Sequence, residues 1–177
     1  SNVGYNTYNY RLNLDINLTK TTKVFLGSDG FLSVKKEPGY GNTDAIWKTQ
    51  STLTPISIPL QYSNGLLPGL GAGQRSSPYV MINRTGNYNN QNYKGKVTVA
   101  LDQDLSSLLE GLKIRGQGAY DIQSYFAERR WMQPALYEAT GRNLDGSLIM
   151  VQKVQESPAS YLKTVSQYRK YHFESTL

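Results

Sequence analysis

Few side chains in this sequence could do chemistry, and their spacing limits what they could do. Asp29, Asp121, Glu128 and Glu138 are the carboxylates that general acid–base catalysis would draw on, but no spacing forces any two of them together. The chain has no cysteine and a single histidine, His172. A thiol nucleophile, a disulfide framework and a cysteine-based zinc site are therefore excluded, and a His-rich metal site has no ligands to draw on. No nucleophile–base constellation stands out. The expectation is a protein that is not an enzyme, with no catalytic residue, no cofactor and no metal. A second chemistry is recognition. Tyr40, Trp47, Tyr62 and Trp131 offer rings large enough to bury the flat C–H face of a sugar. Arg129 and Arg130, beside Trp131, could contact a polar ligand or a covering protein. The plainer reading, in which these rings pack the loops against one another, weighs more.

The elements that would position these residues read as strands. Tyr8, Tyr10, Leu12, Leu14, Ile16 and Leu18 alternate with Asn9, Arg11, Asn13, Asp15 and Asn17. Strict period two gives one apolar and one polar face. Residues 19–22 form a polar turn, and a second strand spans about 23–35, interrupted by Gly27 and Gly30 as marks of bulges or close packing. Residues 36–92 are long and irregular, with Pro38, Pro55, Pro59, Pro68 and Pro78 and with Gly71 and Gly73 among many glycines. A third strand over about 93–102 and a fourth over about 112–123 flank a brief connector. A second long connection, about 124–167, holds a hairpin turning at Asn143-Leu144-Asp145-Gly146. A fifth strand covers about 168–177, with His172 on its polar face. Helix signals are weak, limited to a turn or two at Pro78–Arg84 and Ser106–Glu110.

Connections thus run short, long, short, long. In an antiparallel meander this puts tight turns at one end and long loops at the other, as in outer-membrane barrels. The alternating segments match the roughly 9–11 tilted residues that cross the hydrocarbon layer. Tyr8, Tyr10, Tyr93, Tyr120 and Tyr171 share the apolar face at the long-loop end, where an aromatic girdle would lie. Arg11, Asp15, Lys94, Lys96, Lys113, Arg115 and Lys170 then face the lumen. A soluble antiparallel sheet explains the alternation equally well but the ordered tyrosines less well. The net charge of +6 is spread out, unlike the clustered footprint of a nucleic-acid binder, so no nucleic-acid partner is expected. No apolar run is long enough for a membrane-spanning helix. The chain does not open like a signal peptide, Ser1 and Asn2 carry no weight, and the last strand stops in mid-course. The expectation is a piece of a larger protein.

Four stretches stand out together: Tyr8-Asn9-Tyr10-Arg11-Leu12-Asn13-Leu14-Asp15-Ile16-Asn17-Leu18-Thr19-Lys20-Thr21-Thr22, Pro78-Tyr79 through Thr85-Gly86-Asn87-Tyr88, Leu101-Asp102-Gln103-Asp104-Leu105 with Gly111-Leu112-Lys113-Ile114-Arg115-Gly116 and Ala119-Tyr120-Asp121, and Arg169-Lys170-Tyr171-His172-Phe173-Glu174. In this order they resemble the SusC/RagA family of TonB-dependent outer-membrane transporters of Bacteroidetes. Ser77-Pro78 stands where that family often has Asn-Pro. The resemblance implies an all-β fold: an open, curved antiparallel meander from a transmembrane barrel of roughly 22 strands, with long outer loops. The family's plug domain and TonB box have no counterpart here. The parent would import oligosaccharides or peptides with a SusD-like surface lipoprotein and the TonB complex. This piece would supply barrel wall in contact with lipid, and loops that touch ligand or lid through Tyr40, Trp47, Tyr62, Arg129, Arg130 and Trp131. An isolated piece would self-associate through its strand edges. The alternative is a soluble all-β carbohydrate-binding or adhesin-like module.

Overall fold

The computed structural model describes residues 3–54, 56–70 and 75–177. Ser1, Asn2, Pro55, Gly71 and Gly73 lie outside the described residues. In chain order the elements are β1 (Gly4–Asn17), β2 (Thr22–Pro38), α1 (Thr43–Thr52), β3 (Gly69–Leu70), β4 (Arg75–Ser76), α2 (Pro78–Asn83), β5 (Gly86–Asp104), β6 (Lys113–Gln133), β7 (Leu136–Arg142), β8 (Leu148–Val154) and β9 (Ser157–Thr176). The main sheet is antiparallel with order β1-β2-β5-β6-β9, and its two edge strands do not close on each other. Two-stranded pairs β3-β4 and β7-β8 complete the β structure. The short, long, short, long order of connections is present.

All five main strands are longer than the alternating segments. β5, β6 and β9 run to 19, 21 and 20 residues. The added lengths, chiefly 86–92, 124–133 and 157–167, are Asn-rich or mixed in polarity. A backbone ladder needs only paired N–H and C=O groups, so it continues where the apolar pattern stops.

The chain divides into two units. One comprises residues 5–34, 90–126 and 164–177. Its strands are joined by two tight turns. In the first, the Leu18 N–H donates to the Thr22 carbonyl at 3.0 Å and the Thr19 hydroxyl to that of Thr22 at 2.8 Å. In the second, Asp104 accepts the Ser106 N–H at 2.9 Å and also its hydroxyl, and Gly111 takes a positive φ of 79°. These bonds stabilise the Asp104 carboxylate and hold its pKa below the usual range. The connector at Ser106–Glu110 is therefore a hydrogen-bonded turn rather than a helix. The two turns are neighbours, since the Asp104 N–H donates to the Thr21 carbonyl at 2.8 Å.

Gly30 shows why a glycine interrupts β2. A Cβ there would collide with the Tyr10 ring. Tyr10, on β1, crosses β2 at this gap and shares a hydrogen bond with Tyr93 on β5. A Gly30→Val substitution is expected to push the Tyr10 ring aside and break that bond, leaving the Thr19–Thr22 turn intact. The ring resonances of Tyr10 and Tyr93 would both move in NMR spectra; unchanged rings would refute the crossing.

The other unit comprises residues 1–4, 35–89 and 127–163. Its core holds Val80, Met81, Ala127 and Leu136, with Ile58 also buried. Ser77 caps α2 by accepting the Val80 N–H at 3.3 Å, and Pro78 occupies the first turn, where its missing N–H costs nothing. The buried Thr85 hydroxyl donates to the Met81 carbonyl at 2.7 Å and accepts the Tyr40 N–H at 3.0 Å. α1 has an Asn42 cap, whose side chain accepts the Ala45 N–H at 2.9 Å, yet it buries none of its residues. The β7-β8 hairpin turns at 143–147, with Gly146 at φ 84°. There Asp145 accepts the Ser147 hydroxyl at 2.7 Å and its N–H at 2.9 Å, which lowers its carboxyl pKa. Lys153 and Glu138 pair at 2.8 Å on the hairpin.

Candidate functional site

In the unit holding 5–34, 90–126 and 164–177, the two faces of the sheet differ in chemistry and neither is covered. On one face the Tyr120 and Tyr171 rings lie 5.1 Å apart, Phe173 rests 3.5 Å from where a Gly118 Cβ would be, and Ile122 packs against Gly95. The Tyr10 ring over Gly30 and the Phe173 ring over Gly118 each lie on a glycine of a neighbouring strand, so there aromatic surface replaces a missing side chain. Leu12, Leu14 and Ile16 continue the face at 47%, 41% and 44% exposure. The apolar core residue of this unit that is fully buried is Ala100. A sheet folding around a water-soluble core would bury these leucines, because each apolar side chain moved out of water contributes about 1.5–3 kcal/mol.

The opposite face is polar. Arg11, Asp29, Lys94, Lys96, Asp121 and Tyr168 line an open groove of about 880 Å3. Arg115 and Asp102 pair at 3.2 Å nearby in sequence. Asp121 and Asn92 each keep a buried side-chain oxygen without a hydrogen-bond partner among the described residues. Tyr168 was missed by the sequence reading although its signal was present: it shares parity with Lys170 and His172 on β9. His172 lies near Glu174, at 3.6 Å, with both side chains more than half exposed.

The six recognition candidates all belong to the other unit, and they are used differently. Arg129 donates to the Gly39 carbonyl at 3.0 Å and to the Tyr40 carbonyl at 3.1 Å. It thereby brings Tyr40 and Arg129 together as a clamp between the end of β2 and β6. The Tyr62 hydroxyl accepts the Ala139 N–H of β7 at 3.3 Å. Trp131 is half-buried, and its carbonyl accepts the Ser160 hydroxyl at 3.3 Å. Arg130 is exposed and sits 5.8 Å from the centre of the Tyr161 ring, an attraction between cation and ring face. Tyr161 in turn donates to Glu128 at 2.7 Å, and that bond raises the phenol pKa. Trp47, on α1, is 67% exposed. None of the six lines the pocket of about 450 Å3 in this unit, which is bordered by Gln61, Leu67, Asn83, Arg84, Met132 and Pro134.

Among the described residues no three potential ligands gather for a metal ion. No helix is long and apolar enough to cross a membrane, which says nothing of strands that cross one. No protein-family model, curated protein or solved structure matches the chain.

Proposed function

We propose that this chain is wall and loop of an outer-membrane β-barrel importer of the SusC/RagA kind, and that it carries no enzymatic activity of its own. One observation carries the reading: Leu12, Leu14 and Ile16 alternate with polar residues and stay exposed in a sheet whose apolar face has no covering layer. Lipid acyl chains are the covering that such a face lacks. The tyrosine band favours the same reading, because amphipathic rings settle at the headgroup level. So do the open β1 and β9 edges, which a barrel pairs with further strands and which an isolated chain pairs with other copies. The polar face, with Arg11, Lys94 and Lys96, suits a wet lumen. In the whole transporter the loops would meet an oligosaccharide or peptide and a SusD-like lipoprotein, and energy would come from the TonB complex. Trp47 on α1 and Arg130 on β6 have exposed surface left for such contacts, whereas the Tyr62 hydroxyl and the Arg129 guanidinium are held by internal hydrogen bonds and Tyr40 is held through its backbone.

The absence of cysteine makes the test clean. Single cysteines at 12, 14 and 16, and at 11, 13 and 15, would carry an environment-sensitive dye in phospholipid vesicles. Quenching by lipid-borne nitroxide is expected at the even positions and quenching by aqueous iodide at the odd ones. Equal aqueous quenching at both sets, with protein that stays soluble without detergent, would instead favour a soluble β module.

A further inference from the structure

We infer that the pocket between Asn83, Arg84 and Gln61 binds a small ligand that carries a carboxylate beside hydrogen-bond donors, as an acidic sugar or a peptide C-terminus does. The pocket lies within one unit, so the inference does not rest on the membrane reading. Its volume of about 450 Å3 falls within the roughly 300–1,000 Å3 of small-molecule sites. Its lining holds one cation, Arg84, and no carboxylate. Arg84 forms no ion pair among the described residues; its guanidinium is 6.0 Å from the centre of the Tyr79 ring. That contact restricts the side chain without using its N–H groups, whose planar fork matches the two oxygens of a carboxylate.

The two amides are oriented as well. Asn83 donates through its side-chain nitrogen to the Tyr79 carbonyl at 3.0 Å, and Gln61 to the Gly65 carbonyl at 2.6 Å. Each is left with a carbonyl oxygen that can accept from a hydroxyl or ammonium group. Leu67, Met132 and Pro134 supply an apolar wall. The corner from which Asn83 and Arg84 project is rigid. The Arg84 N–H closes α2 on the Val80 carbonyl at 2.8 Å, and the Met132 N–H donates to the Thr85 carbonyl at 3.2 Å. Little ordering would therefore remain to be done on binding.

Glucuronate and glucose differ in the carboxylate alone, so they form the deciding pair, with diglycine as the peptide arm. Each is titrated into the full chain while the backbone amides of Gly65, Arg84 and Met132 are followed by NMR. Saturable shifts with glucuronate, with diglycine or with both are expected, and the arm that binds more tightly identifies the source of the carboxylate. Glucose is expected to bind at least tenfold more weakly. Arg84→Gln should weaken the acidic ligand at least tenfold, with Arg84→Lys intermediate. Arg84 is exposed, so these variants are expected to keep the fold, which unchanged resonances of the buried Ala127 and Leu136 would verify. The proposal is overturned if neither acid binds, if glucose binds as well as glucuronate, or if Arg84→Gln binds unchanged.

Discussion

If the apolar face meets lipid as proposed, Leu14→Arg is expected to destabilise the chain folded in phospholipid vesicles by about 2–4 kcal/mol, the cost of a basic side chain on the lipid face near the bilayer midplane. Leu14 lies midway between Tyr10, in the tyrosine band, and Leu18, at the turn, so in the proposed barrel wall it would sit at the depth where that cost peaks. Asn13→Arg, one position away, is expected to change stability by less than about 1 kcal/mol, because successive side chains point to opposite faces and position 13 shares its face with Arg11 and Asp15. Urea unfolding in vesicles, followed by the far-ultraviolet circular dichroism of the strands, measures both. The contrast between neighbours matters more than either value. General damage to β1 would affect both variants, and a soluble sheet would show no dependence of the Leu14→Arg effect on lipid. Reconstitution must allow the open β1 and β9 edges to pair, since unpaired backbone groups in hydrocarbon are costly.

How much of this was legible in the sequence depended on how local the cause was. β1 was legible because a strand whose two faces differ in chemistry must alternate, and Tyr8 through Leu18 do so without a break. The β7-β8 hairpin was legible from Asp145-Gly146, whose turn conformation is set by those residues themselves. The Tyr10–Gly30–Tyr93 crossing was only half legible. Gly30 signalled close packing, but its partner follows from the strand order, with β2 lying between β1 and β5. α1 gave no signal because it buries nothing and so leaves no apolar stripe in the sequence. The six recognition candidates were chosen by residue type, and type does not reveal what holds a side chain. Arg129 looked like a ligand contact, yet its partners are two backbone carbonyls brought to it by the end of a distant strand. The Asn83–Arg84 pocket was invisible for the same reason, since Gln61, Asn83 and Met132 meet only through the fold.

Gly86→Ala is expected to be the most damaging single change in the unit that holds the pocket. Gly86 has a φ of 90°, a conformation that L-residues rarely adopt. A Cβ there would also strike the Arg130 backbone carbonyl. The two penalties act together: strained backbone costs about 1–3 kcal/mol, and forcing atoms into a filled space about 1–3 kcal/mol more. Gly146→Ala separates them, because Gly146 has a similar φ of 84° but open space where its Cβ would go. It is expected to show the backbone penalty alone, confined to the β7-β8 turn. The Gly86 carbonyl accepts the Gly39 N–H at 3.0 Å, and the neighbouring Thr85 carbonyl accepts the Met132 N–H. Gly86→Ala should therefore speed hydrogen exchange at Gly39 and Met132 by a hundredfold or more, corresponding to about 2.7 kcal/mol of lost protection, while Gly146→Ala leaves both unchanged. The amides of the Thr19–Thr22 turn should exchange alike in both variants. Equal exchange at Gly39 and Met132 in both would mean that the backbone crossing at Gly86 is looser than the structure has it.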